Sequence, residues 1–179
     1  MVDTELERNS KNSAHSSLRE SIIEYLFVGE ILKALWLENT TKVEVLKPQV
    51  DDAGYDLVIE CKRSSENNHS SIRHIQLKSS HAGAKTSKVS ISEKLGQKPN
   101  WCVIWIFFDP KTLRLGPFFW FPQSGNSTPD MNKLKTTKHT KGTATGYKAD
   151  RPGHHDVPKG KFDELKSIPD VIDKLFPNA

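Results

Sequence analysis

Apolar and polar residues alternate along this chain with two periods. From Ser16 the segment SSLRESIIEYLFVGEILKALWLEN repeats its apolar residues at helical spacing, and Ser17 followed by Glu20 resembles a capping box that opens a helix. The spacing predicts a helix to about Leu37. Leu18, Ile22, Tyr25, Leu26, Gly29, Leu32 and Trp36 form its stripe, broadened by Ile23, Phe27 and Val28, so that most of the helix is expected to be buried against a sheet. VEVLKP, YDLVIECK and IRHIQLKSS then read as three neighbouring antiparallel strands, with DDAG and SSENNHSS as the turn and loop between them.

Further on, KVSIS reads as a small edge strand and SEKLGQK as a short helix closing at Pro99. WCVIWIFF is apolar on both faces, as in a central strand covered on both sides, and GPFFWFP reads as another strand. The segment 124–160 is rich in Gly, Thr, Lys and His without a clear period and predicts a long basic loop. KFDELKSIPDVIDKLF predicts two helical turns or one helix interrupted at Pro169. The expected architecture is α/β, a mixed sheet with flanking helices, with residues 1–15 as a flexible polar tail and 16–179 as a single domain.

A chain of 179 residues can bury a full core without a staple. Its two cysteines, Cys61 and Cys102, lie far apart in apolar runs, which predicts reduced, buried thiols and a cytoplasmic location. The polar N-terminus offers no apolar stretch suited to a signal peptide, and the apolar runs are too short or too charged to span a bilayer. A net charge of +4 is a weak sign of a polyanionic partner. The excess is concentrated: between Met131 and Lys161, Lys133, Lys135, Lys138, Lys141, Lys148, Arg151, Lys159 and Lys161 face only Asp150 and Asp156. The first four are candidate phosphate contacts, and a merely solvated loop is the other reading.

Strand alternation puts Asp56, Val58, Glu60 and Lys62 on one face, and His74, Gln76 and Lys78 on one face of the next strand. Paired as a hairpin, they bring together an acid, an amide oxygen and an ammonium. Phosphodiester hydrolysis uses such groups, because a hard cation on carboxylate and carbonyl oxygens polarises phosphate and activates water, and a lysine stabilises developing charge. An ordinary hairpin with one solvated face has the same pattern.

The order of a helix bearing Glu30, then GYDLVIECK, then HIQLKSS resembles the core of the PD-(D/E)XK nuclease superfamily, in the branch with a Q-x-K-S pattern. The resemblance covers roughly residues 17–122 and is strongest from GYDLVIE through IQLKSS. PNWCVIWIFFD and FFWFP are similar to the later strands of small standalone members. It implies a restriction-endonuclease-like α-β-β-β-α-β core and a metal-dependent endonuclease acting on double-stranded DNA in restriction, defence or repair. By position, Asp56, Gln76 and Glu30 would ligate magnesium or manganese and Lys78 would be the catalytic lysine. Members often form homodimers, for which FFWFP would offer apolar surface.

Glu30 has apolar neighbours at i−4, i−3 and i+4, so a metal or hydrogen-bond partner would offset the cost of its carboxylate, and an ion pair with Lys33 is the competing reading. Glutamine at position 76 brings no charge, so weak metal binding is expected, and a noncatalytic nucleic-acid-binding or assembly module with the same fold is the alternative. A regulatory partner of the toxin or immunity kind leaves no mark in the sequence. Glu60-Cys61-Lys62 is a second E-x-K registration, with Asp51 or Asp52 upstream. His74 facing Gln76, Ser79 and Ser80 after Lys78, and a transition-metal reading of His154, His155 and Asp156 complete the candidates. The chain has no P-loop, dinucleotide fingerprint or serine elbow.

Overall fold

In the computed structural model of the chain, residues 15–50, 52–63, 70–125, 129–139 and 146–177 are described. Helix α1 (Ser16–Leu37) leads into three antiparallel strands, β1 (Val43–Leu46), β2 (Leu57–Cys61) and β3 (Ser71–His81). β3 continues in parallel with β5 (Trp101–Phe108), which pairs antiparallel with β6 (Leu115–Phe121), and β9 (Asp163–Leu165) closes that edge. The result is a mixed six-stranded sheet in the order β1-β2-β3-β5-β6-β9. A second sheet, β4-β8-β7, is built from Lys88–Ser92, Asp150–Pro158 and Lys135–Lys138.

β5 is buried along its whole length, and its alternation divides the core in two. Cys102, Ile104, Ile106 and Phe108 join Leu57, Ile59 and Ile75 under α1 and the closing helix α2 (Ile168–Leu175). Trp101, Val103, Trp105 and Phe107 face the other way, against Ile91, Val157, Met131 and Phe162. The molecule is therefore three layers: helices, the six-stranded sheet and the small sheet.

Several expectations are corrected. α1 starts at Ser16 after His15, which makes no capping hydrogen bond, so Ser17 is inside the helix and the capping box does not form. Its buried stripe is Ile23, Phe27, Ile31 and Leu35, whereas Leu18, Ile22, Tyr25, Leu26, Trp36 and Leu37 are exposed. The segment expected to be a basic loop instead holds a 3-10 turn at Met131–Lys133, β7 and the long β8. Between β3 and β5, β4 and a 3-10 turn at Glu93–Gln97 stand where the resemblance implied an α-helix. Asp163–Leu165 is a strand, and Pro169 sits in the first turn of α2, where its missing N–H costs nothing. FFWFP is interior: Phe118, Phe119, Trp120 and Phe121 are all buried, so this segment offers no dimer surface. Residues 1–14 of the expected tail lie outside the described residues. No described helix is long and apolar enough to cross a membrane.

Candidate functional site

The register Leu57↔Ile75 runs on by one step, so Asp56 stands opposite Gln76, and the Asp56 N–H donates to the Ile75 carbonyl at 2.9 Å. Opposed residues in an antiparallel pair share a face, and Lys78 follows two positions on. The sheet thus brings Asp56, Gln76 and Lys78 together. Asp56 is anchored by its own carboxylate, whose Oδ2 accepts from the Leu77 N–H at 2.6 Å. Gly54 makes this approach feasible: at φ +79° it passes so close to the next layer that a Cβ would lie 2.7 Å from Ser92 Oγ and 2.9 Å from Leu95 N. Gln76 is buried, and its Oε1 accepts from the Ser92 N–H at 3.2 Å, which ties the main sheet to the end of β4.

Two cavities meet at Asp56 and Lys78. One, of about 510 Å³, opens toward the start of α1 and is walled by Ser17, Glu20, Ser21 and Glu24 together with Asp56, Lys78 and Ser79. The other, of about 520 Å³, opens toward the small sheet and adds Gln76, Ser92, Glu93, Lys94, Arg151 and His154. The first wall is mostly acidic and the second carries more positive charge. Glu24 is ion-paired with Lys47, and that hydrogen bond outweighs partial burial to hold the Lys47 ammonium above its ordinary pKa, with a smaller contribution from Asp56. Lys94 pairs with Asp52 and keeps that carboxyl below the usual carboxylate range.

Glu30 is not in either wall. It is exposed on α1 and paired with Lys33 at 3.5 Å, the competing reading of its surroundings. At 3.6 residues per turn, Glu24 and Glu30 lie on opposite flanks of the buried stripe, and only Glu24's flank meets Asp56. The sequence signal that could have found Glu20 and Glu24 was the Ile23-Phe27-Ile31-Leu35 repeat. His74 is structural: its Nδ1–H donates to the Pro99 carbonyl at 2.9 Å, and its ring packs edge-on to Tyr55. Ser80 accepts from Trp105 Nε1 at 3.0 Å, while Ser79 does reach the acidic cavity.

The second registration lies elsewhere. Glu60 is bonded by the Ser70 hydroxyl and shares a separate hollow with Lys62 and Glu44, Asp51 is outside the described residues, and Asp52 is taken by Lys94. Lys133, Lys135 and Lys138 are exposed on or beside the outer strand β7 and wall neither cavity, and Lys141 lies outside the described residues. In place of those lysines, β8 contributes Arg151 and His154. His155 is buried with Nδ1 on the Leu134 carbonyl at 3.3 Å, and Asp156 binds Lys88 and the Thr137 hydroxyl, so the three do not form a transition-metal site.

The trio expected to hold a divalent cation does not fit one, since Glu30 is remote and the Gln76 oxygen already accepts a main-chain N–H. Asp56, Glu20 and Glu24 do supply hard oxygen donors to one cavity, although no three His, Cys, Asp or Glu side chains among the described residues are drawn together as a ready-made cage. Compared with known family models, curated proteins and solved structures, the chain matches none.

Proposed function

We propose that this chain is a nuclease-like protein that acts on the phosphodiester backbone of double-stranded DNA where its two cavities meet. The observation that carries the reading is the convergence of Asp56 and Lys78 where an acidic cavity meets one lined by both signs of charge, Lys94 and Arg151 beside Asp52 and Glu93. A phosphate needs cationic donors on one side, here Lys78 and Arg151, and hydrolysis needs a carboxylate to orient water on the other, here Asp56. Lys78 serves both: it neutralises the bound phosphate and stabilises charge that grows as the leaving oxygen departs. Magnesium or manganese, when bound, would supply polarisation of the phosphate and a more acidic water; Asp56, Glu20 and Glu24 line the cavity it would enter, but they are not drawn together as a site, and Glu24 is held by Lys47.

Restriction-endonuclease-like architecture belongs to the same proposal. It is supported by the order of α1 and the antiparallel β1–β3 followed by the parallel partner β5.

The second reading, a noncatalytic nucleic-acid-binding module, is favoured by one observation: the Gln76 amide is spent on the Ser92 N–H, as a structural side chain would be. Cleavage of plasmid and linear DNA with Mg²⁺ or Mn²⁺ separates the two. Asp56→Asn keeps an acceptor for the Leu77 N–H and removes the charge, and Lys78→Met keeps the stem and removes the ammonium. The nuclease reading expects metal-dependent cutting that falls by at least about a hundredfold in each variant with unchanged melting. Folded wild-type protein that binds DNA in a salt-sensitive way and never cuts it establishes the binding module, and protein that does neither rejects both.

A further inference from the structure

A buried ring nitrogen beside the cleft is left without a hydrogen bond. His155 stands on β8 opposite Ile91 of β4, and Glu93, two residues past Ile91 where β4 runs into the 3-10 turn, is its diagonal neighbour on the same face. A carbonyl only accepts, so the bond between Nδ1 and the Leu134 carbonyl at 3.3 Å fixes a hydrogen on Nδ1. The other nitrogen, Nε2, lies 3.6 Å from Glu93 Oε2, within ion-pair range but beyond a hydrogen bond. The His155 side chain is only 8% exposed, and its Nε2 has no hydrogen-bond partner among the described residues. Glu93 is 40% exposed and lines the cavity that holds Asp56, Gln76 and Lys78.

Without a hydrogen on Nε2, two sets of lone pairs face each other across this gap and neither is satisfied. A proton on Nε2 turns the same contact into a charge-assisted hydrogen bond, which the half-exposed Glu93 side chain reaches by closing less than about 1 Å. The proton also decides the charge of the cleft. Asp52, Asp56 and Glu93 oppose Lys78, Lys94 and Arg151, three charges of each sign. A phosphate entering such a cavity meets no net attraction, and an imidazolium behind Glu93 tips the sum to one positive charge. The remaining titratable groups nearby are His154, which lines the cavity from the other face of β8, Asp156, which is taken by Lys88, and Asp130 and Lys133, which pair with each other at 3.9 Å in the turn before β7.

We propose that Glu93 and His155 share one proton whenever a phosphate group occupies the cleft, so that binding of a nucleic-acid backbone takes up a proton at this pair. This regulation rests on the cleft being the phosphate site. The complex then holds the proton more tightly than the free protein does. Affinity is therefore highest at low pH, falls as pH rises past the point where the free pair loses its proton, and levels off once the complex loses it too. The fall is at most about tenfold per pH unit, the limit for one proton.

The test is binding of a DNA duplex of about 20 base pairs in EDTA at fixed salt, from about pH 5 to pH 9. Wild-type affinity should fall by about tenfold or more across that range. Glu93→Gln removes the negative charge, and its amide can donate to Nε2, so this variant should stay at the tight level at every pH. His155→Gln donates an amide hydrogen to Glu93 and takes up no proton, so it should stay at the weak level. A pair that only braces the fold would move both variants the same way. His154→Gln should keep the slope. A wild-type affinity that is flat in pH, a slope that survives Glu93→Gln, or one that vanishes with His154→Gln overturns the coupling and leaves the phosphate site standing. DNA that never binds in a salt-sensitive way overturns the reading of the cleft, and the coupling with it. Should His155→Gln fail to fold, the His155 imidazole followed by NMR decides. Added duplex should move its titration midpoint upward in wild type and leave it in place in Glu93→Gln, and an equal movement in both overturns the proposal.

Discussion

Glutamine at position 76 accepts a hydrogen bond as a carboxylate does but adds no charge to the cleft. Its Oε1 serves the Ser92 N–H in the interior, where a donor without a partner costs about 1–3 kcal/mol. Gln76→Ala should therefore lower unfolding free energy by about that amount in urea titration, and loosen the end of β4 against the main sheet. Gln76→Glu preserves the acceptor and places a carboxylate in the same cleft as Asp56 and Lys78. If this cleft takes a divalent cation, added Mg²⁺ should raise the melting temperature of Gln76→Glu more than that of the wild type, because a ligand that binds the native state stabilises it. Equal stability of Gln76→Ala and wild type would mean that the Ser92 N–H finds water instead, and would remove the structural account of this residue.

At the scale of elements, strands β2, β3 and β5 were legible because their two faces differ in kind, or because both are apolar, and either pattern survives without knowledge of the partner. The same alternation places Asp56, Gln76 and Lys78 on one face once the two strands pair as a hairpin. α1 was legible as a helix and not in orientation: it carries two apolar stripes, and the sequence alone does not say which meets the sheet. Glu30 followed from its position in the resemblance and its apolar neighbours Leu26, Phe27 and Ala34, whereas the flank that meets Asp56 carries Glu24. β8 was hidden for a different reason. Asp150–Pro158 includes Pro152, Gly153 and two histidines and buries only His155 and Val157 well, so it is held by pairing with β4 and β7 more than by a pattern of its own. The closing helix α2 depends on a local device that can be tested. Ser167 Oγ accepts from the Asp170 N–H at 3.3 Å and the Asp170 carboxylate accepts from the Ser167 N–H at 3.0 Å. The bond from Ser167, then that from the Lys166 N–H, holds the Asp170 carboxyl below its usual value of 3.8. The cap's contribution is thus complete above about pH 4 and is lost as pH falls through the lowered value. Ser167→Ala should cost about 1 kcal/mol at neutral pH. Its deficit relative to wild type should shrink in acid, and a deficit that stays constant from neutral to acid pH would show that the Asp170 charge takes no part in the cap.

For the molecule as a whole, the three layers depend on β5 being sealed on both sides, and Cys102 reports on that seal. Its thiol lies in the helix-side core, and burial pushes its pKa up to about 12 while Arg73 pulls weakly the other way. In the unfolded chain the same thiol ionises near 9.0. The sign follows directly: below that value both states hold the proton and stability is unaffected, and above it the unfolded chain sheds a proton that the native state retains. Stability should then fall by up to roughly 1.4 kcal/mol per pH unit between about pH 9 and pH 12 from this group alone. Lysines and tyrosines also titrate there, so the informative comparison is the slope of unfolding free energy against alkaline pH in wild type and in Cys102→Ala, which should be shallower. A thiol reagent at neutral pH should leave both Cys61 and Cys102 unmodified until urea opens the fold, since Cys61 too is buried and its pKa raised, first by desolvation. Modification of Cys102 in the native protein, at a rate that does not follow global unfolding, would mean that α1 and α2 lift from the sheet on their own. The helical layer would then be a separately opening unit, and the cleft walled by Glu20 and Glu24 would open with it.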